Sequence, residues 1–175
     1  MGIRGNGLRK KSNPKPILGY TDTETVKLDL DNMPFKWVKY WSVKTLKQFR
    51  LRGLIILKSS ASSYHVVFDR PVPWSKNVGI VAWVCLVTKH RRLTEWLVMQ
   101  LIKKGSTLRV SSKKDKSPPR LIYRYGEQEQ QVKDFLQFRK LGKALARAEI
   151  DPSNRKQKDI SDFKHTGCSL MSRVR

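Results

Sequence analysis

Val26-Lys27-Leu28-Asp29-Leu30-Asp31 alternates apolar and polar residues, which is the two-residue period of a half-buried strand. Val26, Leu28 and Leu30 point to one side of that strand; Lys27, Asp29 and Asp31 point to the other. Asn32-Met33-Pro34 ends it. Over residues 36–50, Trp37, Val38, Trp41, Thr45, Leu46 and Phe49 then recur at helical spacing, and Gly53 reads as the stop signal. Leu54-Ile55-Ile56-Leu57 is a short apolar run of the buried-strand kind. After the small polar connection Ser59 to Ser63, Tyr64-His65-Val66-Val67-Phe68 returns as the second strand of a hairpin, closed by Pro71-Val72-Pro73.

Working outward, residues 75–88 and 91–103 read as two helices rich in Trp, Val and Leu. Thr107 to Val110 and Arg120 to Tyr123 read as short strands. Residues 128–149 read as a helix with Val132, Phe135, Leu136, Leu141 and Leu145 inward. The order β-α-β-β-α-α-β-β-α predicts an α+β domain. Its sheet is mainly antiparallel, with an RRM-like β-α-β-β core covered by helices on one face, which leaves the other face open for chemistry or a ligand. Residues 1–20 carry five positive charges and no acid, and read as a flexible basic arm. Residues 21–149 form the domain, and 150–175 read as a polar basic tail.

Charge narrows the function classes. The chain has 175 residues with 37 Lys+Arg against 14 Asp+Glu, a formal net charge of +23. That excess costs self-repulsion and is most useful against a polyanion, of which DNA and RNA are the commonest. A ribosomal-type structural protein and an anionic membrane surface are the competing explanations. Hydrophobic residues make up 39% of the chain, so there is a core to bury and a disordered basic tail is excluded. Cys85 and Cys168 are too few for a disulfide framework, and no CxxC is present for zinc. The N-terminus lacks the apolar stretch of a signal peptide, and no apolar run is long enough to span a bilayer. The expected location is cytoplasmic and the expected partner is nucleic acid, not a membrane.

Three features could carry chemistry. Asp29 and Asp31 share one strand face, about 6.5–7 Å apart along the strand. Paired carboxylates are costly unless a cation sits between them, and Mg²⁺ or Mn²⁺ suits such a pair together with phosphate oxygens. An exposed acidic patch on an amphipathic strand is the plainer reading. Ser63, His65, Val67 and Asp69 share a face on the later strand, so His65 joins the aspartates if the two strands are neighbours. Asp69 lies about 13 Å further along, too far to help. Finally, Lys103 to Arg124 holds eight basic residues and the single acid Asp115. Lys113, Lys114 and Lys116 read as a phosphate-tracking loop beside Arg109.

The order Asp29-x-Asp31, helix, strand, Ser63-x-His65 resembles the archaeo-eukaryotic primase superfamily, which includes the primase-polymerases of plasmids and viruses. The resemblance covers about residues 24–125. It implies Asp29 and Asp31 as metal ligands and, with His65, as catalytic residues. It implies Ser63 and His65 as nucleotide contacts; the basic segment that follows adds Arg109 and Lys113 as nucleotide contacts, and Lys114, Lys116, Arg120 and Arg124 as contacts to nucleic acid. It further implies a metal-dependent primase or polymerase type of nucleotidyltransferase acting on single-stranded or primed DNA. Nucleoside triphosphates would be the substrates and a replication helicase a companion. The chain is expected to be a compact stand-alone domain with no helicase or zinc module of its own. The family's third motif, an apolar pair followed by Asp, is not matched: the corresponding stretch is Val98-Met99-Gln100-Leu101-Ile102-Lys103-Lys104.

Other classes remain. A non-catalytic single-strand-binding module could use Tyr123 and Tyr125, flanked by Arg120 and Arg124. A hydrolytic nuclease could use Asp29 and Asp31 to activate water. A rolling-circle initiator needs a His-x-His pair, and His65, His90 and His165 are far apart.

Overall fold

The strand read at residues 26–31 is β2 (Thr25–Leu30) of a computed structural model that describes residues 17–113 and 116–148. Before it runs β1 (Gly19–Asp22), and after it α1 (Phe35–Gln48), β3 (Gly53–Lys58) and β4 (Tyr64–Pro71). Two helices follow, α2 (Trp74–Thr88) and α3 (Arg91–Lys103). The described chain continues with β5 (Ser106–Arg109), β6 (Arg120–Gly126) and α4 (Gln131–Ala148). The fold is α+β. Its main sheet is antiparallel with order β2-β4-β3-β6, and β1 and β5 pair as a separate antiparallel ribbon. The β-α-β-β order is β2, α1, β3, β4, with β4 between the other two strands, and β6 attaches at the β3 edge. No described helix is long and apolar enough to cross a membrane.

β1 was not foreseen, because it falls in the stretch read as a flexible arm. Leu18 and Tyr20 pack into a core, and the Leu18 N–H donates to Ser111 Oγ at 2.8 Å. The domain therefore begins before residue 20. Residues 1–16 of the arm and the tail 150–175 lie outside the described residues.

Strand alternation sends apolar groups to both faces of the sheet, and each face has its own core. Val26, Leu28, Leu30, Leu54, Ile56, Val66 and Phe68 meet α1, α2 and α3 through Val38, Leu46, Ile80, Val84 and Leu93. Ile55, Leu57 and Val67 point the opposite way and meet Leu108, Val110, Val132 and Phe135. The expectation of helices on one face and an open sheet on the other is thus corrected: α4 and the ribbon cover much of the second face. β3 carries four consecutive apolar residues, the pattern of a strand buried on both sides. Within α4, Leu141 is exposed, and Gly142 takes the inward place against Leu18 and Val110.

Gly53 is not a helix stop. The helix ends one turn earlier, where Arg50 takes a left-handed φ of 53° and the Leu51 N–H donates to the Leu46 carbonyl at 2.9 Å. Gly53 instead lets β3 approach the chain leaving β6: a Cβ there would sit 1.7 Å from the Glu127 carbonyl oxygen. Gly53→Ala is expected to cost about 2–3 kcal/mol, read as a shift in the urea midpoint with unchanged slope. A midpoint equal to the wild type would show that the crossing relaxes freely.

Candidate active site and basic pocket

The register of β2 against β4 places Asp29 directly opposite His65. The two strands are hydrogen-bonded neighbours, and the carboxylate and imidazole share the face turned toward the ribbon. His65 Nε2 lies 3.6 Å from Asp29 Oδ1. Its Nδ1 is buried and has no hydrogen-bond partner among the described residues. Burial, and then the nearby Arg109 charge, push the imidazole pKa down to about 4. His65 is therefore neutral at physiological pH. Any contact that it makes to a phosphate is a hydrogen bond rather than a charge pair.

Burial, reinforced by Asp31, raises the Asp29 pKa to about 7; Arg109 and Lys116 oppose the shift. Asp31 stands just past the end of β2. Its backbone carbonyl accepts a 2.7 Å hydrogen bond from His90 Nε2, and its carboxylate lies 3.9 Å from Arg92. His90 also caps α3, because its Nδ1 accepts the Leu93 N–H at 3.1 Å. An accepting Nδ1 leaves the ring proton on Nε2, where it donates to Asp31. His90 thus ties the first turn of α3 to the end of β2, a positioning role that the sequence reading missed.

Asp29 and Asp31 open into a cleft of about 510 Å³ whose far wall is α3, with Arg92, Glu95 and Trp96. Glu95, from the first turns of α3, reaches the same cleft. There it pairs with Arg91 at 2.8 Å. Among the described residues no three His, Cys, Asp or Glu converge as a ready metal site. The donor chemistry still fits a hard cation. Two carboxylates crowd one another, and the inner one is destabilised as an anion. Mg²⁺ commonly takes one or two protein carboxylates and completes its shell with phosphate oxygens and water.

A second pocket of about 560 Å³ opens at the β3–β4 turn. Lys58, Ser59, Ser60, Ala61, Lys116, Ser117 and Arg120 line it, so it presents three cations and no acid. Arg109 closes its inner side. Its guanidinium donates to the carbonyls of Ser59 (3.2 Å), Ser117 (3.1 Å) and Ser111. It clamps the turn to the loop after β5 instead of reaching freely for substrate. Ser63 is buried at the base of the turn, and its carbonyl accepts the Ser59 N–H at 2.9 Å.

The remaining expectations divide. Lys116 and Arg120 line the basic pocket. Lys113 is exposed and pairs through its backbone with Lys116, away from either cavity lining. Arg124 lies exposed on edge strand β6, where it donates to Gln128 at 3.0 Å, and joins neither cavity. Lys114 lies outside the described residues. Lys27, expected beside the aspartates on an open face, is fully buried. Its Nζ bonds Ser106 O (2.9 Å) and Ser106 Oγ (3.1 Å), and pairs with Asp22 at 3.0 Å. Desolvation lowers its pKa to about 8. Lys27 holds the ribbon to the sheet, so the space beside Asp29 is walled on that side.

The two shifted groups make a pH prediction. His65, with a folded pKa of about 4 against an ordinary 6.5, makes stability fall as pH drops through that window. Asp29, with about 7 against 3.8, makes stability fall as pH rises through nearly the same window. In the wild type the two slopes oppose each other. In Asp29→Asn only the His65 slope remains, so the variant should gain stability relative to wild type between about pH 4 and 7. Urea unfolding of both proteins across that range reads the difference. A difference independent of pH would contradict the raised carboxyl.

No protein-family model, curated protein or solved structure matches the chain.

Proposed function

We propose that the chain is a nucleic-acid-binding protein of replication. In this reading it acts in the cytoplasm as a metal-dependent nucleotidyltransferase of the primase or polymerase type, on single-stranded or primed DNA. One observation carries it: the carboxylate cleft and the three-cation pocket are electrostatically in touch. Arg109, hydrogen-bonded to the Ser59 and Ser117 carbonyls of the pocket's lining residues, and Lys116 of that lining both favour the charged form of Asp29. Acids able to hold a cation therefore stand beside cations able to hold a triphosphate.

Asp29 and Asp31 would hold Mg²⁺ or Mn²⁺. The ion would supply an acidified primer 3′-hydroxyl and charge neutralisation at the triphosphate. The other roles belong to the chain itself. Lys58, Lys116 and Arg120 bind phosphate oxygens in a pocket that contains no competing acid. Neutral His65, which lines neither cavity, stands behind Asp29 and steadies that carboxylate. Arg109 keeps the turn and the loop together, so that this pocket is formed before the nucleotide arrives.

The test is incorporation of labelled nucleotide on primed and unprimed templates, with Mg²⁺ and with Mn²⁺. Template-dependent incorporation is the expected result. Strand cleavage without added nucleotide would turn the reading to a nuclease. Salt-sensitive binding with neither reaction would leave a non-catalytic binding module.

A further inference from the structure

The face of α1 next to β6 carries a second basic surface, on the opposite edge of the sheet from Asp29. β2 and β6 are the two edge strands, three strand spacings or about 14 Å apart. Between α1 and β6 runs an open groove of about 800 Å³. Its floor is Tyr123 and Tyr125, and its wall is Tyr40 and Val43. Lys36, Lys39, Lys44 and Lys47 stand along its rim, and no Asp or Glu lines it.

The lysines have no carboxylate partners among the described residues. Three of the four rest on rings instead: Lys39 lies 4.7 Å from the Tyr123 centroid, Lys44 4.9 Å from Trp41, and Lys36 5.7 Å from Trp37. Tyr40 is 49% exposed and Tyr125 39%. Large aromatic faces left in water beside unpaired cations are poor structure for a domain with a complete core. They match a partner that offers flat rings and regularly spaced anions together. From Lys36 to Lys47 the helix runs about 16 Å, so the charges follow a line rather than a point. A duplex hides its base faces, whereas a single strand presents them. An anionic bilayer would be met by a projecting apolar ridge, and here the rings line a concave groove.

We propose that the α1–β6 groove holds single-stranded nucleic acid, with bases stacked on Tyr40 and Tyr125 and phosphates on the four lysines. The inference does not rest on nucleotidyl transfer.

The experiment is fluorescence anisotropy of the full chain with a labelled oligothymidylate over a salt series. Tyr40→Ala/Tyr125→Ala removes only exposed rings, so a wild-type melting temperature checks the fold. It is expected to weaken binding on the order of 30-fold or more, while Tyr40→Phe/Tyr125→Phe stays within about threefold. Lys44→Ala/Lys47→Ala should reduce the slope of log affinity against log salt by about 1.4. The titrations are run without nucleotide or divalent cation, which separates this groove from the carboxylate cleft. Unchanged oligonucleotide affinity in a folded Tyr40→Ala/Tyr125→Ala protein would overturn the proposal. So would loss of binding to phosphatidylserine vesicles alone, or a blunt duplex that loses as much affinity in the variant as the oligothymidylate does.

Discussion

Asp29→Asn is expected to lower template-dependent nucleotide incorporation by about 10³-fold or more, with single-strand affinity unchanged. The substitution is nearly isosteric, so the loss would be one of charge rather than of packing. Asp29 is the inner member of the carboxylate pair, and it is the one that Arg109 and Lys116 both act on. An amide there cannot balance a divalent cation, and it leaves the triphosphate pocket without a neighbouring anion. Asp31→Asn should act in the same direction. Asp31 is 38% exposed at the mouth of the cleft, where water can take part of its place on the ion, so its loss should cost less. Steady-state incorporation with saturating nucleotide and template reads the effect as kcat. An Asp29→Asn protein with wild-type turnover would remove the carboxylate pair from the chemistry.

Asp69→Ala should be the most destabilising single change in the domain, at about 3–5 kcal/mol. Asp69 is fully buried on β4. Its Oδ1 accepts the N–H groups of Gln130 (3.0 Å) and Val132 (2.9 Å), and its Oδ2 accepts that of Glu129 (2.8 Å). The Val132 N–H lies in the first turn of α4 and the other two lead into it, where no partner is offered by the helix itself. The carboxylate therefore caps α4 from a strand more than sixty residues away in sequence, and the positive end of the helix offsets its buried charge. Alanine would take the acceptor from three N–H groups, of which that of Val132 is buried. Asp69→Asn keeps one acceptor but turns an NH₂ toward donors, so it should recover only part of the loss. Chemical denaturation of the three proteins reads the series. A cost below about 1 kcal/mol for alanine would mean that water replaces the cap.

The sequence reading had Asp69 on the right strand face and judged it too distant from His65 to serve the metal. The judgement follows from strand geometry alone. Its actual partner could not be foreseen, because nothing in the order of residues says that α4 returns beneath β4. Glu95 and His90 were passed over for the same reason. Each belongs to α3, whose apolar stripe shows that it packs but not that its first turn lies against the end of β2.

Lys27 teaches the same lesson from the other side. Alternation correctly put it on one face with Asp29 and Asp31, and that face was taken as open. β1 and β5 then cover its inner half, so one lysine is sealed against Ser106 and Asp22 while Asp29, two residues on, borders the cleft. Trp37 was read among the regularly spaced apolar residues of its helix, but it is 46% exposed beside the α1–β6 groove. The spacing of residues 36–50 does not distinguish a ring that enters a core from a ring left at its margin.

What the amino-acid order determined by itself is local and periodic. It set the helices and most of the strands, and the side that the residues of β2, β3 and β4 take; on β6 a bulge breaks the alternation, with Leu121 in one core and Ile122 and Tyr123 in the other. It also set the excess of cationic side chains that favours a polyanionic partner. These depend on backbone geometry within a few residues, or on composition alone. Only the tertiary structure decided which faces are covered and which cavities remain. It set α4 and the β1–β5 ribbon on the second face of the sheet, brought the basic turn next to the aspartates, and left a groove where α1 passes β6. Those outcomes depend on contacts between segments far apart in sequence. Several packings can satisfy the same periodicity, and close packing of side chains selects one of them.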